Sequence, residues 1–237
     1  MTADLSARLA TLAWPDVAAD LDAHGCAVLP GLLEPAACAE VAGWYDEAQR
    51  FRSTVVMSRH GFGQGQYRYF AYPLPPLVQA LRAGLYPPLA AIAEAWAAAL
   101  GQAGRFPAHH ADYLARCAAA GQLRPTPLLL DYGPGDYNCL HQDLYGEHHF
   151  PLQVAVLLSA PGRDFEGGEL VLTEQRPRMQ SRVEVVPLRQ GDAVVFPVRE
   201  RPVRGARGVY RVNLRHGVSR LRSGRRRTLG VIFHDAL

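Results

Sequence analysis

Pro127-Leu128-Leu129-Leu130-Asp131-Tyr132-Gly133-Pro134-Gly135-Asp136, running on through Tyr137-Asn138-Cys139-Leu140 into His141-Gln142-Asp143, reads as an apolar strand and a tight turn that lead to two residue types able to bind a metal. Glycine and proline at 133–135 supply the turn. Toward the C-terminus, short runs rich in Val, Leu and Phe recur at 151–159, 169–173, 182–188, 192–198, 209–218 and 227–234, separated by Glu166-Gly167-Gly168 and Gln190-Gly191-Asp192 among other turns. Seven or eight short strands at this spacing predict a β-sandwich or a jelly roll.

Toward the N-terminus the texture is different. Leu74, Leu77, Val78, Leu81 and Leu85 fall at helical intervals, Pro87-Pro88 interrupts, and Leu89, Ile92, Ala93, Trp96 and Leu100 repeat the spacing, which predicts two helices with buried stripes. An earlier helix is expected from Glu34-Pro35 through Val41 and Tyr45, preceded by a short strand at Cys26-Ala27-Val28-Leu29. Ser58-Arg59-His60-Gly61-Phe62-Gly63-Gln64-Gly65-Gln66 is not a nucleotide-binding loop, because the sixth position of the pattern is Gln66 and aromatic strand-like residues follow. It reads as a loop leading into a strand, or as a lid over a site. The expected fold class is α+β: a double-stranded β-helix (jelly roll) core over 121–237, with a helical support region over 1–120 packed against it as one unit.

With 237 residues, 49% hydrophobic and 20% charged, the chain has ordinary globular usage, which excludes wholesale disorder and fibrous repeats. The net charge of +3 conceals an asymmetry: residues 1–150 hold nine arginines against fourteen acidic residues, and 151–237 hold sixteen against eight. The chain has no lysine, so the basic half is either a footprint for an anionic partner or a compositional taste for arginine. Cys26, Cys38, Cys117 and Cys139 are far apart, which argues against a structural zinc site and against disulfides. Met1 to Leu12 does not look like a signal peptide and no run of 18 apolar residues occurs, so a cytoplasmic protein without membrane partners is expected.

On an extended backbone His141 and Asp143 point to the same side, and both can reach one metal ion. His216, near the end of the run 209–218, can return to them in a rolled antiparallel sheet. Two imidazoles and one carboxylate on one face of a metal leave three positions open, the arrangement of non-haem Fe(II) enzymes that activate O₂. Ten residues on, period-2 alternation puts Arg226 and Thr228 on one strand face and Arg225 and Arg227 on the other, with Arg225 taking the inward place if the register slips by one. An inward arginine beside a metal needs an anionic partner, which a dicarboxylate cosubstrate supplies.

In this order, His141-x-Asp143, Glu166-Gly167-Gly168-Glu169-Leu170, Gly191-Asp192-Ala193-Val194-Val195-Phe196, His216 and Gly224-Arg225-Arg226 resemble the motifs of Fe(II)/2-oxoglutarate-dependent dioxygenases, on the prolyl-hydroxylase side of that superfamily. The resemblance spans about residues 127–235 and implies that His141, Asp143 and His216 are catalytic iron ligands and that Arg226 and Thr228 bind the distal carboxylate of 2-oxoglutarate. It also implies that Tyr132 donates a hydrogen bond to the cosubstrate, the alternative being an ordinary core tyrosine. The strand 152–158 departs from the pattern, offering no second tyrosine or asparagine. Activity would hydroxylate a substrate and release succinate and CO₂.

Closer similarity is to uncharacterised bacterial oxygenases carrying the stretches Tyr137 to Glu147, Leu172 to Arg182 and Val212 to Ser219, a group inferred to act on damaged nucleic acid. That resemblance implies oxidative demethylation of modified nucleic acid. Two alternatives stand beside it: a peptidyl (prolyl-type) or amino-acid hydroxylase, and a non-catalytic cupin-like metal-binding protein, against which Arg226 argues. Tyr67, Tyr69, Phe62 and Tyr145 are candidates to line a pocket for a flipped base. Among the remaining histidines, His148-His149 reads as a solvated loop near the entrance, His109-His110 as an exposed helix start, and His234-Asp235 as a surface strand end.

Overall fold

The computed structural model of the protein describes residues 2–102, 106–206 and 208–237; Met1, residues 103–105 and Arg207 lie outside the described residues. Five α-helices are α1 (Thr2–Thr11), α2 (Trp14–His24), α3 (Pro35–Gly43), α4 (Pro76–Ala99) and α5 (His110–Ala119). The strands are β1 (Ala27–Leu29), β2 (Phe51–Val56), β3 (Gly63–Gln64), β4 (Gln66–Phe70), β5 (Leu128–Tyr132), β6 (Tyr137–His141), β7 (Leu152–Leu157), β8 (Phe165–Gly167), β9 (Leu170–Gln175), β10 (Arg182–Val186), β11 (Ala193–Pro197), β12 (Glu200–Gly205), β13 (Gly208–Val218), β14 (Leu221–Gly224) and β15 (Arg226–Val231).

Two antiparallel sheets form the jelly roll. The larger runs β1-β11-β7-β15-β5-β4-β2 and the smaller β10-β9-β13-β6-β3, with β12 added on β13. One face of the larger sheet, through Leu129, Val154, Val156, Val195, Leu229 and Val231, shares a continuous core with Leu21, Val41, Leu77, Leu81, Leu85 and Leu89 of the helices. The other face turns toward the smaller sheet. Strands covered on both sides read as nearly unbroken apolar runs, which is why 192–198 and 227–234 stand out in the sequence.

Three expectations are corrected. Residues 1–120 are not purely helical support, because β1, β2 and β4 extend the larger sheet and β3 the smaller. Pro87 and Pro88 do not divide two helices: both lie inside α4. Leu81, Leu85, Leu89, Ile92 and Trp96 keep helical phase across them and are buried, so tertiary packing outweighs the local cost of about 3 kcal/mol per proline. The histidine pairs outside the cluster are also not all at the surface, since His110 and His234 are buried, as is Asp235. No helix among the described residues is long and apolar enough to cross a membrane.

The two buried histidines make a prediction about acid stability. His110 Nε2 lies 2.8 Å from the Phe233 carbonyl and so carries the proton, whereas His234 Nδ1 accepts from Phe150 N–H at 3.1 Å and so carries none. Burial, aided by Arg82, pulls His110 from 6.5 to about 4; burial, His149 and Arg82 pull His234 to about 3. Well above pH 6.5 neither state binds these protons and the stability is complete. As the pH falls from 6.5 toward 4 the unfolded chain takes them up first, and stability drops by about 1.4 kcal/mol per pH unit per histidine. Urea midpoints should decline steadily between pH 7 and pH 5, and a constant midpoint over that range would contradict the assignment.

Candidate active site

β6 and β13 pair so that His141 stands directly opposite His216, with ring centroids 4.1 Å apart. The close approach depends on Gly217, where a Cβ would fall 2.6 Å from the Asn138 carbonyl. Asp143 follows two residues after His141, just past the end of β6, and places its carboxylate between the rings: Oδ1 lies 3.5 Å from His141 Nε2 and Oδ2 lies 3.2 Å from His216 Nε2. Their ligand atoms fall within 4.8 Å of one another, a group that could hold a metal ion.

Asp143 and His216 are shifted toward the protonation states that a metal needs. Burial would raise the Asp143 carboxyl, but hydrogen bonding to His141 and His216 outweighs it and holds the group well below the usual carboxylate range. Burial lowers His216, keeping its imidazole neutral. Burial would lower His141, but its hydrogen bond to Asp143 outweighs that and raises it; with Nδ1 2.8 Å from the Cys139 carbonyl, a metal arriving at Nε2 would displace the proton held there. Asp143 and His216 are buried and His141 is half-buried, open toward the cavity mouth.

The cluster lines a cavity of about 220 Å³ that Tyr132, Arg226 and Thr228 line as well. The pairing of β15 with β5 sets Arg226 against Tyr132 and Thr228 against Leu130. An Arg226 Nη donates to Thr228 Oγ1 at 2.7 Å, and the guanidinium stands 5.7 Å from the Tyr132 ring centroid and 6.0 Å from that of Phe165. Arg226 Nε has no partner, and the Tyr132 hydroxyl, although beside Asn138, has none that meets hydrogen-bond geometry. Buried polar groups are rarely left so. Arg225 and Arg227 point the other way, to Asp131 at 2.6 and 2.9 Å, so the alternation of this strand places one arginine of the three in the cavity.

The rest of the cavity wall is mostly apolar, with Leu130, Ala155, Leu188, Phe196 and Val218 among its residues. Sequence reasoning missed two polar residues. Gln153 Nε2 approaches His216 Nε2 at 3.4 Å, and its signal was an amide inside the otherwise apolar strand β7. Tyr145, considered only as a pocket wall, donates its hydroxyl to Asp143 Oδ1 at 2.7 Å. Phe62 reaches the cavity mouth and remains 45% exposed, carried on a loop whose backbone bonds Cys139. His148 and His149 lie in the loop after Asp143, half-buried and exposed, and neither joins the metal-competent group.

A family model described as "Oxygenase, catalysing oxidative methylation of damaged DNA" matches residues 65–236, which include every residue of this cavity except Phe62. The chain belongs to this family, Oxygenase-NA. As an Oxygenase-NA member it is an enzyme, and the match begins at β4, so it takes in α4 and α5 as well as the jelly roll. Two uncharacterised proteins of Mycobacterium tuberculosis, from strains CDC 1551 / Oshkosh and ATCC 25618 / H37Rv, are each 52% identical over 191 residues, 79% of this chain and 82% of theirs. Among solved structures, a 2OG-Fe(II) oxygenase-family oxidoreductase from Burkholderia pseudomallei aligns over 95% of this chain and 94% of its own with a TM-score of 0.57 and 16% identity. The α-ketoglutarate-dependent epimerase SnoN from nogalamycin biosynthesis aligns over 93% and 81% with a TM-score of 0.57 and 17% identity. A Pseudomonas putida prolyl-4-hydroxylase covers 94% and 99% at a TM-score of 0.50 and 16% identity. The Oxygenase-NA chain therefore has the jelly-roll fold of 2OG-Fe(II) oxygenases.

Proposed function

We propose that the protein is an Fe(II)- and 2-oxoglutarate-dependent dioxygenase that hydroxylates N-methyl groups on modified nucleic-acid bases. The observation that carries the reading is a single cavity lined both by a His-Asp-His cluster and by a buried arginine that lacks an ion pair among the described residues. His141, Asp143 and His216 would hold the iron, a donor set that suits Fe(II) and leaves adjacent positions open. Arg226 has the planar fork that matches a carboxylate, and Thr228 and Tyr132 would add hydroxyls beside it, which supports a dicarboxylate held by its far end. When bound, the iron and 2-oxoglutarate supply the oxidising chemistry, one atom of O₂ entering the substrate and the other succinate, with loss of CO₂. The chain's own part is to orient both reactants and, through the apolar walls, to exclude water.

The nucleic-acid half of the reading is supported by the family description and by the surface. Of the arginines between Arg199 and Arg227, Arg201, Arg211, Arg222, Arg225 and Arg227 make ion pairs. Arg199, Arg204, Arg215 and Arg220 are exposed without an ion pair among the described residues and suit phosphates. Hydroxylation of an N-methyl carbon gives a hemiaminal that expels formaldehyde, so the methyl group is removed without further catalytic residues.

Anaerobic addition of Fe(II) and then 2-oxoglutarate should produce a weak visible charge-transfer band that is lost in His141→Ala; absence of the band from the intact protein would sink the dioxygenase reading. Succinate release should then be stimulated by methylated single-stranded oligonucleotides rather than by proline-containing peptides or free amino acids. Stimulation by the peptides alone would replace this substrate with a peptidyl one.

A further inference from the structure

The carboxylate of Asp143 has two oxygens, and only one is needed to face both His216 and a metal. The other, Oδ1, receives the Tyr145 hydroxyl at 2.7 Å. Tyr145 is itself fixed from behind. Its carbonyl accepts from Gln122 Nε2 at 3.1 Å, and the same amide donates to the carbonyls of His148 at 2.9 Å and of Asp235, while Gln122 Oε1 accepts from His148 N–H at 2.7 Å. Gln122 is 1% exposed and lies outside the jelly-roll strands, before β5. The loop presses on it so closely at Gly146, where φ is +89°, that a Cβ there would stand 2.6 Å from the Gln122 amide carbon. The Tyr69 ring closes the opposite side of Tyr145 edge-on, with centroids 6.4 Å apart.

We infer that Gln122 and Tyr145 are positioning residues that act in series: Gln122 clamps the loop following the His-x-Asp pair, and the clamped loop holds the Tyr145 hydroxyl on Asp143 Oδ1 so that the carboxylate presents Oδ2 to the metal. The inference rests on the metal site proposed above. A loop leaving a strand end has little of its own to hold it, and a carboxylate free to rotate about χ2 offers a metal a mixture of orientations. Buried Gln122 and half-buried Tyr145 remove that freedom before the metal arrives. The design is legible only in three dimensions, since Gln122 and Tyr145 lie 23 residues apart.

Co(II), read by its visible absorption and by equilibrium titration of the full chain, tests this without turnover. Wild-type protein should bind one Co(II), and Tyr145→Phe should bind it about 10- to 100-fold more weakly with an altered spectrum and an apo urea midpoint close to wild type. Gln122→Asn, which shortens the clamp by one methylene, should shift the affinity in the same direction by less, and it decides the matter if Tyr145→Phe does not fold. Affinities and spectra of the folded variants within about twofold of wild type would overturn the inference and leave the metal site standing. Failure of the wild type to bind Co(II) would remove the site itself.

Discussion

Arg226→Ala is expected to weaken 2-oxoglutarate binding about 100-fold or more while leaving the unliganded protein at least as stable as before. The two halves of that expectation have one cause. Arg226 is 3% exposed, makes no ion pair among the described residues, and has Thr228 Oγ1 as its one hydrogen-bond acceptor. A guanidinium so placed costs desolvation energy that the empty protein does not recover, and burial lowers its proton affinity. A carboxylate arriving at the fork would make two charge-assisted hydrogen bonds of roughly 1.5–3 kcal/mol each, so their loss amounts to roughly two to four powers of ten in affinity. Arg226→Lys should recover only part of it, since an ammonium lacks the fork. Calorimetric titration of the Fe(II)-loaded, anaerobic protein gives the affinity, and urea unfolding of the apo protein gives the stability. An arginine there for structure would behave the other way, losing several kcal/mol of stability with cosubstrate affinity intact.

The legibility of this site in the sequence follows from alternation. His141, Asp143, His216, Arg226 and Thr228 lie on or next to strands, where a period of two assigns faces without knowledge of the neighbours, and the structure brings all five to one cavity. Tyr132 joins them because it precedes its turn on the inward phase of β5. The supporting residues obey no such rule. Tyr145 lies in a loop, Gln122 lies between α5 and β5, and their alignment on Asp143 depends on how separate segments cross.

The fold shows the same division. Strands buried on both faces announce themselves by composition, but β8 and β14 are short, and β12 carries Glu200, Arg201, Pro202 and Arg204, which no strand propensity favours. It forms because it pairs with β13 and because Arg201, 1% exposed, meets Glu174 at 2.5 Å. Charge counted from the sequence treats such an arginine as surface. In the folded chain Arg82, Arg201 and Arg226 are interior, each for a different reason, but Glu174, Asp192 and Asp235 are buried as well, so the basic excess of residues 151–237 stays at the surface.

Arg82 supplies the second large effect: Arg82→Met is expected to cost about 3–5 kcal/mol of folding stability, the opposite of the outcome at Arg226. Arg82 projects from α4 with no exposed surface and donates to the carbonyls of Ile232 at 2.9 Å and His234 at 3.3 Å, to Asp235 Oδ1 at 2.9 Å and to the Tyr72 hydroxyl at 3.1 Å. Tyr72 in turn donates to Asp235 Oδ2 at 2.8 Å. Removing the cation strands a carboxylate that is 5% exposed and frees two carbonyls at once. Asp235→Ala strands the guanidinium instead and should cost a similar amount, whereas the double variant should cost less than the two singles together, because neither charge is then left alone. Urea unfolding of the four proteins measures the coupling; purely additive costs would mean that water reaches the pair. The segment 232–235 continues directly from β15, so it is the anchor of the strand that carries Arg226 and Thr228. Loosening it should therefore weaken 2-oxoglutarate binding as well, through the register of β15 rather than through any contact with the ligand.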